Sequence, residues 1–164
     1  MINEFLKREL ETLFIEKKYE EIIKISEEKL SLEEIPASLC NLIGICKIYK
    51  KDRSLDDIIS SLSYFEQTYL KGKKTIHGLN GLNHLISIGI QFTKEYRFLS
   101  SFIIKAEKFY LESEKYFNKN ELFLRSGLLL YSYFLDNKKQ KKIFNQILKI
   151  DGKSKIIRSL SLFE

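Results

Sequence analysis

The chain has 164 residues and a net charge of +6, from 28 lysine and arginine residues against 22 acidic ones. Its content of 44% hydrophobic and 13% aromatic residues excludes a disordered chain, which needs low hydrophobicity and few aromatics. There are one proline and seven glycines. Scarce helix breakers and long periodic apolar runs favour an all-α protein over a sheet of short strands. The length fits one domain or one run of repeats.

Apolar residues recur at helical spacing along the chain and predict eight helices in order. Pro36 is placed at the start of the third helix, where its missing N–H costs little. Ser54 is a candidate N-cap for the fourth helix, with Asp57 three residues further on. A ninth helix is expected to begin near Ser154. The eight predicted helices cover residues 2–16, 19–30, 36–50, 55–70, 76–94, 98–117, 121–135 and 138–150.

Four glycines lie in the fifth predicted helix or just after the fourth. Gly72 is expected to end the fourth helix in the usual terminating role. Gly78, Gly81 and Gly89 lie within the fifth helix, where each glycine costs about 1 kcal/mol relative to alanine. Their retention there predicts the close approach of a neighbouring helix.

The helices group into four pairs, at residues 2–30, 37–70, 76–117 and 121–150. An apolar run with a small residue, a polar turn and a second amphipathic stretch return about every 40 residues, a spacing typical of stacked helical hairpins. The sequence therefore predicts an α-solenoid of about four antiparallel helix hairpins over residues 1–152. Residues 153–164 begin a further helix or a linker. A compact helical bundle is the alternative.

These segments resemble tetratricopeptide repeats. Ile43-Gly44 and Ser126-Gly127 are similar to the Leu-Gly step of that family's first helix. The stretch Lys18-Tyr19-Glu20-Glu21-Ile22-Ile23 resembles the family's turn into its second helix, and 55–59 repeats that feature. Residues 147–151 resemble the closing segment, although Gly152 stands where proline is usual.

The resemblance implies a non-catalytic scaffold module that binds a protein or peptide segment. In that family the first helix of each pair lines a concave groove, and aromatic residues such as Tyr49 and Tyr131 would be the natural anchors. The lysine and asparagine pattern that clamps a terminal carboxylate in some members is not recognisable. Carried over by position, the groove would comprise Asn41, Ile45, Ile48, Tyr49, His84, Ile88, Gln91, Glu121, Leu128 and Tyr131. Each apolar member has the alternative role of packing between hairpins.

The sequence predicts no catalytic, cofactor or metal site. His77 and His84 are seven residues apart, about 10 Å along a helix, so one metal ion cannot bridge them. Gly-rich phosphate loops and nucleophile elbows are missing from the sequence. Cys40 and Cys46 are six residues apart on one helix, too far for a disulfide, and are expected to be buried free thiols.

A basic segment near the C-terminus supports a second interpretation. Residues 138–158 carry eight lysine and arginine residues against one aspartate. This is the pattern expected for phosphate contact with nucleic acid or an anionic surface, although a solvated terminal helix has the same composition. The basic patch comprises Lys138, Lys139, Lys141, Lys142, Lys149, Lys153, Lys155 and Arg158.

Two further expectations concern the location of the protein and whether these residues belong to a longer protein. The N-terminus has no continuous apolar core of a signal peptide and the longest apolar runs are too short to span a bilayer, so a cytoplasmic location is expected. The sequence stops at Glu164, within the predicted ninth helix. A third interpretation is therefore that these residues are the substrate-selecting front of a larger enzyme, such as a protein glycosyltransferase, since similar arrays precede catalytic domains in some of them.

Overall fold

The computed structural model describes residues 4–30 and 35–150, and these form an all-α protein with no strand in either range. The predicted ninth helix, Gly152 and the last three members of the basic patch lie outside the described residues. The helices are α1 (Glu4–Ile15), α2 (Tyr19–Lys29), α3 (Ala37–Tyr49), α4 (Leu55–Gly72), α5 (Ile76–Thr93), α6 (Ser100–Phe117), α7 (Glu121–Tyr133) and α8 (Asn137–Ile150).

The eight predicted helices all occur, and their ends differ from the predictions by a few residues at most. A 3₁₀ turn at Arg97–Leu99 precedes α6 where the sequence predicted the start of the helix itself. Gly72 ends α4, as predicted, but it lacks the left-handed backbone of the usual glycine terminator, since none of the described glycines adopts a positive φ. The left-handed positions are Lys17 and Leu135, at the ends of α1 and α7.

Side-chain caps fix the starts of four helices, including α8, where the Asp136 carboxylate accepts a hydrogen bond from the Lys139 N–H at 3.0 Å. The Ser54 hydroxyl accepts a hydrogen bond from the Asp57 N–H at 3.2 Å, and the Asp57 carboxylate accepts one from the Ser54 N–H at 2.8 Å. This confirms the predicted capping box. Thr75 and Asn120 cap α5 and α7 by accepting from backbone N–H groups three residues on.

We expect the Asp57 cap to make the protein sensitive to acid. Burial acts to raise the pKa of this carboxyl. The Lys50 ammonium at 2.6 Å and the Ser54 hydrogen bonds outweigh that effect and hold the pKa at about 2, against an ordinary 3.8. A depressed pKa stabilises the fold above the ordinary value, and the contribution is lost as pH falls from about 4 towards 2.

The matching experiment compares urea unfolding at pH 5 and pH 2. Between these values the native chain should lose about 1–2 kcal/mol more stability than Asp57→Asn, which has no charge to lose. Asp56→Asn removes an exposed carboxyl in the same helical turn and is the control. Equal pH dependence in the native chain and Asp57→Asn would contradict the assignment.

Each helix packs mainly against helices one or two positions away in the described chain. Helix α4 lies against α3 and α5, and α6 lies against α5 and α7. Helix α5 also contacts α3 and α7, two steps away in both directions. Ion pairs join the even-numbered helices: Lys105 of α6 reaches Glu66 of α4 at 2.9 Å, and Lys142 of α8 reaches Glu114 of α6 at 3.2 Å.

Glycines mark the closest helix approaches, as the sequence predicted for α5. A Cβ at Gly81 would lie 2.7 Å from the Thr68 Cβ and 2.9 Å from the Phe65 carbonyl oxygen, so α4 and α5 touch there nearly backbone to backbone. The Phe65 ring fills the space over Gly44. Gly78 in turn meets the Gly72 carbonyl.

The buried apolar residues form two clusters. The smaller unites α1, α2 and most of α3, with Leu10, Ile22 and Ile43 almost inaccessible to solvent. The larger runs from Ile48, near the end of α3, to Ile147 of α8. Helix α3 therefore contributes to both clusters.

Candidate partner-binding face

Helices α3, α5 and α7 lie side by side, and polar side chains bridge them. The Nδ1 atom of His84 is 2.9 Å from Oδ1 of Asn41, which joins α5 to α3. The Ser126 hydroxyl donates to Oδ1 of Asn83 at 2.8 Å, which joins α7 to α5. Both pairs span 43 residues of sequence. The same 43-residue separation therefore recurs, and we call the solvent-exposed side of these three helices the odd-helix face.

The odd-helix face carries almost no net charge. Helix α5 contains no lysine, arginine, aspartate or glutamate over its 18 residues. Lys47 of α3 is 6% exposed, and its ammonium lies 2.6 Å from the Glu27 carboxylate of α2. Glu121 and Arg125 of α7 pair with each other. Charge is instead concentrated on α1, on the even-numbered helices and in the turns.

Eight of the ten predicted groove residues keep some solvent exposure. Tyr49, Gln91 and Glu121 are exposed. Asn41 and His84 are half-buried and bonded to each other. Ile45 of α3, Ile88 of α5 and Leu128 of α7 are half-buried and pack against the larger core. The odd-helix face thus presents apolar side chains at intermediate depth between uncharged polar groups.

The structure corrects two of the predicted groove residues. Ile48 is 5% exposed and belongs to the larger core. Tyr131 is 2% exposed, with its ring edge-on to Tyr110 at 5.7 Å and with the Lys139 ammonium 4.4 Å from its ring centroid. Neither side chain faces a partner, because α7 and α3 turn these positions inward. Tyr131 is therefore a packing residue and not an aromatic anchor.

His84 is a neutral polar link in this face. Its ring centroid lies 5.0 Å from that of the buried Phe65, and burial lowers the pKa of the imidazole. With its proton on Nδ1, the ring donates to Asn41. His77 is exposed near the start of α5. Within residues 4–30 and 35–150, the histidines, cysteines and acidic residues form no cluster of three that could hold a metal ion.

The two cysteines are buried free thiols, as predicted. The Cys40 thiol lies 3.7 Å from the Ile35 carbonyl oxygen, and burial raises its pKa. Burial also raises the pKa of Cys46 to about 12. Since the thiolate is the reactive form, both side chains serve packing rather than chemistry in this state.

The described part of the basic patch is partly neutralised by α6. Lys139 pairs with Glu107 at 3.2 Å, and Lys142 pairs with Glu114 at 3.2 Å. These two partly exposed ion pairs link α8 to α6. The remaining described members, which are exposed, are Lys138, Lys141 and Lys149. Lys153, Lys155 and Arg158 lie outside the described residues.

Sequence reasoning missed Asn83 and Ser126, which form the second polar bridge. A signal was present, because Asn83 lies beside His84 and both pairs keep the same 43-residue separation. Predicting these bridges from the sequence requires knowing which helices are neighbours and which of their residues face each other. The spacing of about 40 residues fixes that alignment only to within a few residues.

These features define an all-α protein with a nearly uncharged face on α3, α5 and α7. No family model matches the sequence, and comparisons with curated proteins and with solved structures give no significant match. No helix in the described ranges combines the length and the apolar character needed to cross a bilayer.

Proposed function

We propose that the chain is an α-solenoid of four hairpins similar to tetratricopeptide repeats, and that it is a non-catalytic module that binds a protein segment on its odd-helix face. The order of helix packing supports the solenoid. A compact bundle closes by packing early helices against late ones, whereas the main contacts here join helices one or two positions apart. The two polar bridges repeat the same step along the stack.

The observation that carries the binding proposal is the lack of charge on α5 at the centre of this face. Cores of protein–protein interfaces are depleted of lysine, glutamate and aspartate, and burying a charge there without a partner is costly. A strongly basic face would suit a polyanion instead. Half-buried Ile45 and Ile88 give apolar contact area, and exposed Gln91 adds hydrogen-bonding capacity. The matching occupant is a weakly charged segment of another protein.

Charges placed on this face should block the partner. In Ser87→Arg/Gln91→Arg, two guanidinium groups enter the centre of the uncharged surface, and we expect binding to weaken at least about tenfold. The partner is first isolated with the native chain from its source, identified by mass spectrometry, purified and titrated by calorimetry. Ser63→Arg/Ser101→Arg is the matched control, because both serines are exposed on even-numbered helices.

The double variants should keep native helicity and melting temperature, which separates lost binding from lost folding. If the α5 variant binds as tightly as the native chain, the odd-helix face is not the binding surface. Equal weakening in both variants would also contradict the proposal, because it would show a general charge effect.

A further inference from the structure

The four turns that close the hairpins α1–α2, α3–α4, α5–α6 and α7–α8 each expose one large apolar side chain. Ile15 is 80% exposed, Tyr49 63%, Phe98 58% and Leu135 82%. Ile15 and Leu135 are the two most exposed large apolar side chains among the described residues. We call these four residues the turn tips and the side of the protein that carries them the turn edge.

Contacts between the first two turns show that they are adjacent. The ring centroids of Tyr19 and Tyr49 lie 6.4 Å apart. The Lys51 N–H donates to the Glu20 carboxylate at 3.3 Å. The ammonium groups of Lys17 and Lys51 are exposed beside the tips of these turns.

The edge continues through the third and fourth turns. The Arg53 guanidinium lies 5.0 Å from the Phe92 ring centroid, which brings the second turn to the end of α5. A shallow depression lies between the third and fourth turns, and it is lined by Lys94, Arg97 and Tyr133. Both cations are exposed there. The turn edge is therefore one unbroken surface and not four separate loops.

The charge of the turn edge is positive. Residues 15–18, 49–54, 94–99 and 134–138 together carry eight lysine and arginine residues against four acidic ones. Two cations of this set are paired with carboxylates: Lys50 with the buried Asp57 and Lys18 with the exposed Glu16. Exposed apolar tips thus stand among cations that remain open to solvent.

We propose that the turn edge docks on an anionic lipid bilayer, with the turn tips in the boundary between headgroups and acyl chains and the flanking cations on lipid phosphates. Apolar side chains interleaved with lysine and arginine suit this boundary, because long cationic side chains reach the headgroups while the apolar ones enter the hydrocarbon. This surface meets the odd-helix face at Tyr49, the last residue of α3, and goes beyond that face's protein-binding role.

The chemistry of the tips favours lipid over other anionic partners. Single-stranded nucleic acid binds through base stacking on aromatic rings, and two of the four tips, Ile15 and Leu135, are aliphatic. Interface cores between proteins are depleted of lysine, whereas a lysine or arginine lies within three residues of every tip here. The turns also project one tip each instead of forming one continuous apolar patch with a polar rim.

Vesicle co-sedimentation with the full chain tests the proposal. We expect binding to vesicles of phosphatidylcholine with 30 mol% phosphatidylglycerol (roughly the anionic content that recruits basic segments), weakening as salt is raised, and little binding to phosphatidylcholine alone. Lys94→Glu/Arg97→Glu should weaken it at least about tenfold. Absence of binding to the anionic vesicles would overturn the proposal.

The apolar tips distinguish docking from simple charge attraction. Ile15→Asn and Leu135→Asn should each weaken vesicle binding several-fold without changing the melting temperature, since both side chains are mostly exposed. Asparagine also tolerates the positive φ of Leu135. Ile76→Asn, at an exposed position on the opposite edge, is the matched control and should bind as the native chain does.

Two results would assign the binding elsewhere. If Lys141→Gln/Lys149→Gln abolishes binding while Ile15→Asn has no effect, the basic patch holds the vesicles and the turn edge does not. If a 20-nucleotide single-stranded RNA competes the protein off the vesicles and binds Ile15→Asn and Leu135→Asn unchanged, the edge is a polyanion site. Either result overturns the lipid proposal.

Discussion

Replacing Phe65 with alanine is expected to lower the free energy of unfolding by about 3–5 kcal/mol, the usual cost of emptying a buried phenylalanine site. The ring is 1% exposed and lies where α3, α4 and α5 meet. It covers Gly44 and packs 5.0 Å from the His84 ring centroid. Urea or thermal unfolding monitored by circular dichroism measures the loss.

Phe98→Ala is the control for Phe65→Ala, because its ring is 58% exposed and its removal should cost little. A double-mutant cycle sharpens the test. In the native chain a Cβ at Gly44 would lie 2.7 Å from the Phe65 ring, so Gly44→Ala should destabilise. In the Phe65→Ala background the same change should stabilise by up to about 1 kcal/mol, because the clash is gone and helix propensity improves. Additive effects would contradict the predicted contact.

Gly81→Ala is expected to destabilise the protein by about 1–3 kcal/mol, despite the better helix propensity of alanine. The new Cβ would meet the Thr68 Cβ at 2.7 Å and the Phe65 carbonyl oxygen at 2.9 Å. These atoms are part of, or directly attached to, the α4 backbone, so the two helices must separate to accept a methyl group. Chemical unfolding of the purified variant measures this cost.

Gly89→Ala is the matched control in the same helix. Its Cβ would meet the terminal methyl of Ile103, and the next atom is 3.6 Å away. A side-chain end can rotate aside, so we expect a change of less than about 0.5 kcal/mol, or a slight gain. If Gly81→Ala were as well tolerated as Gly89→Ala, the close packing of α4 on α5 would be wrong.

Local sequence signals account for much of the fold. The Ser54 and Asp57 pair is a capping signal that acts within four residues, and the structure contains it. The glycines of α5 are unfavourable in a helix on their own, so their presence already indicated a close neighbour. The contact of Gly72 with Gly78 has no local signal in the sequence, because it forms only when α4 and α5 pack.

The side chains of the candidate site were harder to predict, because their exposure depends on how each helix is rotated. Tyr131 follows Leu124 and Gly127 at helical spacing, and all three are buried. The helical periodicity therefore indicated that Tyr131 is buried, whereas the family resemblance placed Tyr131 in the groove. The pairing of Lys139 with Glu107 joins residues on different helices and has no local signal in the sequence.

The two apolar clusters have a consequence for folding cooperativity. The first is built from α1, α2 and α3, while α4 to α8 build the second, and α3 is the principal element shared by both. Damage to the first cluster can therefore open α1 and α2 while the rest of the chain stays folded. Amide protons of these two helices should exchange through local opening, at a lower free energy than those of α5. Helix α3 determines how strongly the opening of α1 and α2 is coupled to the unfolding of the rest of the chain. As that coupling weakens, unfolding of the whole chain departs from a two-state transition.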